Sequence, residues 1–337
     1  MFRPIIQRLG ILALAALFLA ACGGASGSTS ASPAPQQKTA LTASYSELVP
    51  DELAPWGALD GGYFAKNNLD VKLTSIASAN GVAALLSGEV QIAQLGGSEV
   101  VSAAAGGADL VIIANLVPVY PYLFMVPASI HDTTDLKGKK VGVSKFGGSA
   151  DIATRVVLRK EGLDPETDVT IVETGSATNR VAALRSGAIQ GGVSQPPETT
   201  LLQQEGFHSL YDLARLKLPA ANTVVATTRS FVRSHRAAVQ AYVDSLIQAT
   251  ARERADRQFT ERLLTKWEKV SGQAVLDDTY SFYFKEVFPT YPYPRPQQYA
   301  DAVQVLRQKN PKLQNFNVSR VLDQSFVKNA ASRKVGG

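Results

Sequence analysis

Asn80-Gly-Val-Ala-Ala-Leu-Leu-Ser-Gly-Glu-Val-Gln91 returns as Asn179-Arg-Val-Ala-Ala-Leu-Arg-Ser-Gly-Ala-Ile-Gln190, 99 residues further on. The same offset carries Glu99 onto Glu198. A strand-like run precedes each copy, Val71–Ile76 in the first and Val169–Glu173 in the second. Each copy reads as a short helix with Val, Ala and Leu on one face. Gly88 or Gly187 closes it, where a backbone of positive φ ends a helix. A second strand follows at once, Val90–Leu95 or Ile189–Ser194. Each copy is therefore a strand–helix–strand crossover, the unit that builds a parallel sheet. A period of about 100 residues is far too long for a solenoid. It predicts two similar α/β lobes with a cleft between them.

The 337-residue chain, 45% hydrophobic, can bury one or two sizeable cores. Its first residues do not read as core. Arg3 and Arg8 precede an apolar run, Leu9 to Ala21, that is shorter than the roughly 20 residues needed to span a bilayer and has the charged start of a secretory signal. Cys22, the one cysteine of the chain, ends that run. Leu19-Ala-Ala-Cys22 resembles the bacterial lipobox, which implies that Cys22 is acylated and becomes the first residue of the mature protein. A plain signal peptide with an incidental cysteine is the bland alternative. Gly23 to Gln37 holds no large apolar residue and reads as a flexible tether. With a single cysteine, no disulfide forms within the body. The net charge of +5 comes from basic residues scattered among acids, not from the basic face that nucleic-acid binding needs.

The expected domains are a signal peptide over 1–21, a lipidated tether over 22–40, a first lobe over 41–127 and 223–337, and a second lobe over 128–222. Leu41–Ser46 reads as the first strand, and Leu123–Val126 as a strand leaving the first lobe. The crossings between lobes are expected near Val126–Ile130 and Ala220–Val225. Ser230 is placed to cap a long amphipathic helix carrying Val239, Tyr242, Val243, Leu246 and Ile247.

Asp135-Leu-Lys-Gly-Lys-Lys-Val-Gly-Val143, a Gly-Ser loop, a helix and Gly162-Leu-Asp-Pro165 together resemble the solute-binding proteins of ABC importers. Gly62-Tyr-Phe-Ala-Lys, Leu69-Asp-Val and the two Val-Ala-Ala-Leu-x-Ser-Gly copies narrow the resemblance. They are similar to the branch of nitrate, sulfonate, taurine, thiamine-precursor and riboflavin binders. The resemblance spans Leu41 to Phe326 and implies a type II-like periplasmic-binding-protein fold, each lobe a mostly parallel sheet flanked by helices. It also implies a ligand held in the cleft and delivery to a membrane permease and its ATPase; the lipobox and tether predict an exported protein anchored through Cys22, and a monomer is expected.

In open parallel sheets, ligands collect at the carboxyl ends of strands. That rule selects Tyr45 and Glu47, then Gly97, Ser98 and Glu99, then Tyr120 and Tyr122, then Phe146, Gly148 and Ser149, and Gln195 and Glu198; Trp56 is expected beside them. The Gly-Gly-Ser loops let backbone N–H groups approach a ligand, unless they only make tight turns. Glu99 and Glu198 accept ligand donors or simply favour helix dipoles. Four aromatics with only Lys145 as a cation in these loops favour a stacked heterocycle, riboflavin first and a thiamine-related pyrimidine second. A small anion such as a sulfonate, taurine or nitrate is the alternative. Gly142-x4-Gly147-Gly148-Ser149 lacks the lysine of a nucleotide-binding P-loop. No Gly-x-Ser-x-Gly elbow occurs, and His131, His208 and His235 lack metal-ligand spacing. Neither a cofactor nor a metal is expected. A pyrimidine-synthase-like enzyme, whose relatives use reactive Cys/His chemistry, and a membrane-tethered sensor are the readings of another class.

Overall fold

The computed structural model describes residues 37–337; the expected signal peptide, Cys22 and most of the expected tether lie outside the described residues. The first repeat copy joins β2 (Leu69–Ser75) through the helix Ser78–Ser87 to β3 (Ile92–Leu95), once β1 (Thr39–Tyr45) has opened the sheet. Gly88 ends that helix at φ +79° and Gly187 stands after the second at φ +74°, a conformation open to glycine without steric cost. In each copy the last residue of the motif, a glutamine, ties the crossover back to the parallel strand between its two strands, β1 in the first sheet and Lys140–Val143 in the second. Gln91 Oε1 accepts the Thr42 N–H at 2.8 Å, while Gln190 Oε1 accepts the Lys140 N–H at 3.2 Å. Each glutamine also donates to the carbonyl of the helix-ending glycine, Gly88 at 3.1 Å and Gly187 at 2.7 Å. The conserved spacing within the chain is thus a repeated hydrogen-bond clamp.

After β4 (Leu110–Val119) and β5 (Leu123–Val126), the second lobe lays down β6 (Lys140–Val143), β7 (Thr170–Glu173), β8 (Gly191–Ser194) and β9 (His208–Asp212). The chain then returns as β10 (Pro219–Thr228). The two sheets have matching orders, β2-β1-β3-β10-β4 and β7-β6-β8-β5-β9. In each, the fourth strand is antiparallel to both neighbours and the other four are parallel. This is the expected α/β two-lobe architecture with mixed sheets.

The lobe boundaries differ from expectation. β5 does not leave the first lobe; it pairs with β8 and β9 in the second sheet. The first crossing is therefore Tyr120–Tyr122, and the second is Leu213–Leu218, since Pro219 already pairs with Val119. A four-residue apolar run carries no mark of which sheet it joins, and this one joined the second.

The first sheet is covered by the long helix Arg229–Ala255, whose Val239, Tyr242, Val243, Leu246 and Ile247 are buried as expected. Its cap is Thr228, which accepts the Phe231 N–H at 3.1 Å; Ser230 lies inside the helix. The C-terminal segment is not confined to the first lobe. Ala302 and Val305 of the helix Ala300–Leu306 join the apolar core of the second lobe, and Asp301 accepts from Tyr120 at 3.1 Å.

Candidate functional site

Four helices begin at the carboxyl ends of parallel strands and open onto one inter-lobe cavity of about 110 Å³. From the first lobe come Ser78–Ser87 and Gly97–Ala105; from the second come Ser149–Lys160 and Ala177–Arg185. Unpaired N–H groups and the helix dipole make each such start favourable to negative charge.

Arg180 supplies a full positive charge there, and the sequence analysis missed it. Its side chain is 3% exposed, with Nε donating to Val193 O and Nη1 to Ser144 Oγ, both at 2.6 Å. Burial lowers its pKa, while Tyr122, Glu47 and Glu198 pull the other way. The stem lies over two strand glycines that pair across β6 and β8: a Cβ on Gly142 would stand 3.4 Å from Arg180 Cγ, and one on Gly192 3.2 Å from Cδ. The signal was present in the repeat. Arg180 stands where the first copy has Gly81, and glycines inside strands mark a close approach.

Facing Arg180 are carboxylates of the first lobe. Burial raises the pKa of Glu47; Arg180 and the Ala177 N–H oppose that rise, and Glu99 adds to it. Glu99 accepts from Ser78 Oγ at 3.0 Å and Ser98 Oγ at 2.6 Å. Asp51 is buried among four donors, Gln195 at 3.3 Å, Tyr283 at 2.8 Å, Asn222 at 2.6 Å and Thr223 at 3.0 Å. Burial pushes its carboxyl up to about 6, with the Tyr283, Thr223 and Asn222 bonds restraining the rise. Gln195 and Ser149, which donates to Asn222 O at 3.0 Å, tie the second lobe to the first.

Of the residues singled out from sequence, Glu47, Glu99, Tyr122, Gly148, Ser149 and Gln195 line this cavity, and Lys145 does too. The others do not. Trp56 is fully buried and stacks on Trp267 at 5.4 Å, with Tyr45 edge-on to both at 5.7 and 6.0 Å. The partner of Trp56 is the protein's own C-terminal segment, which no local pattern announced. Tyr120 turns away to Asp301, and Gly97 is packed against Ala221 and Tyr299. Ser98 serves Glu99 and, with Tyr120, borders a separate void of about 10 Å³. Phe146 is exposed under Lys309 Nζ, 5.3 Å from its ring centre. Glu198 is not in the cavity lining, and its Oε2 is buried and unpartnered. The aromatic sandwich that favoured a flavin is thus absent from the cavity: of the four aromatics, only Tyr122 reaches it.

Two five-stranded lobes joined by two crossings, with helix starts converging on the cleft, define the periplasmic-binding-protein fold. Within that class the chain belongs to the NMT1/THI5-like family, whose model matches residues 56–257. A protein of Bordetella bronchiseptica RB50 superposes with a TM-score of 0.75 at 18% identity, covering 88% of this chain and 98% of that one. The periplasmic aliphatic sulphonate binding protein SsuA of Escherichia coli gives 0.69 at 20% identity, with 86% and 99% covered. The desulfurization enzyme DSZB gives 0.63 at 19% identity, with 88% and 100% covered. No curated protein sequence matches the chain.

Proposed function

We propose that the protein is the solute-binding component of an ABC import system, tethered to the outer face of the membrane by lipid on Cys22. It captures a small organic anion between its lobes and presents it to the permease. The carrying observation is Arg180, a buried guanidinium at a cavity onto which four helix N-termini open. A sulfonate offers acceptor oxygens and no donors, which suits such a site. Val49, Ala77, Ala79 and Ala150 line the same cavity and suit a short apolar tail. Glu47 and Glu99 accept donors carried elsewhere on the solute. A cavity of about 110 Å³ is small beside the ~300–1,000 Å³ of drug-sized sites, so the anion alternative displaces riboflavin and the pyrimidine.

The protein acts by capture and closure of the lobes, not by catalysis. DSZB shows that the fold also carries an enzyme, but among the described residues the cavity lining includes neither cysteine nor histidine. Calorimetric titration with ethanesulfonate, taurine, nitrate and riboflavin tests the reading. Binding of a sulfonate with no heat from riboflavin is expected. Riboflavin binding without any anion binding would overturn it.

A further inference from the structure

Outside the cavity lining, two carboxyl groups with buried, unpartnered oxygens come from opposite lobes. Glu198 opens the helix Glu198–Gln204 of the second lobe. Glu268 ends the helical turn Leu264–Glu268, held on the first lobe by the stacking of Trp267 on Trp56. Glu198 Oε2 and both oxygens of Glu268 are buried without a hydrogen-bond partner. At the same seam Thr200 bonds to Asp278 of the helix Gln273–Phe282, so these elements close on each other between lobes.

The charges around the pair do not neutralise it. Burial outweighs every group that favours the Glu198 carboxylate: its own N–H, Arg180 and Arg185, the last of which forks onto Glu205 at 2.7 Å; Glu47 adds to the rise. Glu268 faces Glu198, Asp51 and Tyr283, and Tyr283 donates to Asp51. On its own segment Lys266 pairs with Asp60, and Lys269 bonds to the Lys266 carbonyl. Neither glutamate forms an ion pair among the described residues. An ionised carboxylate left buried without a partner takes up a proton instead.

We propose that Glu198 and Glu268 form a proton-operated latch: the lobes close over them when they are protonated, and ionisation drives the lobes apart. Burial raises Glu198 from 4.5 to about 7 and Glu268 well above 4.5 in this closed arrangement. Opening hydrates both groups and returns them toward ordinary values. The closed form therefore binds more protons than the open form above pH 4.5. Each such proton lowers the closed-to-open ratio by up to about tenfold per pH unit until the closed-state value is passed.

Small-angle scattering of the solute-free protein between about pH 5 and about pH 9 reads the latch, with circular dichroism confirming an intact fold at each point. The radius of gyration of the wild type is expected to rise across that range. The Glu198→Gln/Glu268→Gln variant is expected to lose most of that rise, leaving only the contribution of Asp51 and Glu47 at the cavity. Glu253→Gln, which alters a buried carboxyl inside the first lobe away from the seam, should open as the wild type does. A flat wild-type profile would overturn the latch, as would a double variant that opens along the wild-type curve.

Discussion

Glu253→Gln should change how stability depends on pH. Glu253 lies on the long helix Arg229–Ala255, fully buried beneath Gly57, and neither of its oxygens has a hydrogen-bond partner. Burial alone pushes its carboxyl from 4.5 to about 8. Below pH 4.5 the folded and unfolded chains both hold this proton and no penalty exists. From there to about pH 8 only the folded chain holds it, so stability falls as pH rises. Over the whole interval the loss is about 5 kcal/mol, since one unit corresponds to ~1.36 kcal/mol. The glutamine variant keeps the shape and has no proton to hold. Its unpartnered amide costs about 1–3 kcal/mol at every pH, which shifts its curve without tilting it. Glu52, raised to about 8 chiefly by burial, tilts both curves alike. Urea denaturation at several pH values from about 5 to about 9 gives the two curves by linear extrapolation. Across that range the difference should swing in favour of the variant by about 4 kcal/mol toward high pH. Parallel curves would refute the reasoning, because Glu253 would then titrate alike in both states.

Arg180→Met should weaken ethanesulfonate binding at least about tenfold, because a hydrogen bond to a charged group contributes ~1.5–3 kcal/mol; an unchanged titration would remove Arg180 from the site. Gly57→Ala should lower stability by about 1–3 kcal/mol, as an overpacked core does. Its methyl would overlap the Glu253 carboxylate and lie 3.3 Å from Leu263 Cδ1; a urea midpoint equal to wild type would count against that packing. On the proposed anchoring, Cys22→Ala should move the protein from the membrane fraction to the soluble one, and a variant still found in membranes would place the anchor elsewhere.

The two-lobe plan was legible because the repeat carries its own structural chemistry: a closing glycine and a clamping glutamine recur at the same offset. Glu47, Glu99, Gly148, Ser149 and Gln195 followed from the rule that ligands gather at strand ends. That rule locates loops, not the direction of side chains. Tyr45 and Trp56 fell in such loops, yet their rings pack against Trp267, more than 200 residues away in sequence. Tyr120 was likewise taken by Asp301 of the C-terminal segment. Arg180 escaped for the opposite reason. It stands inside a helix, one turn beyond the loop, and reaches the cavity along a floor of glycines.

The two copies are most informative where they differ. Ser78 and Ser98 hold the Glu99 carboxylate in the first lobe. At the same offset the second lobe has Ala177 and Pro197, neither of which carries a hydroxyl, and Glu198 is left with a buried, unpartnered oxygen. A third exchange puts Arg180 in place of Gly81, whose added Cβ would meet Leu95 Cδ1 at 3.1 Å. The first crossover thus carries a hydroxyl-held acceptor at the cavity. The second carries the buried arginine of the cavity and, outside the cavity lining, an acid without hydroxyl donors. This division yields a test within the repeat itself. Ala177→Ser restores the donor position that Ser78 occupies in the first copy. A hydroxyl bonded to Glu198 favours its ionised form and should lower its pKa. If the latch operates through Glu198, scattering of Ala177→Ser should show wider opening than wild type at pH values near 7. If opening proceeds as in wild type while the Glu198 carboxyl has measurably shifted, Glu198 does not govern closure.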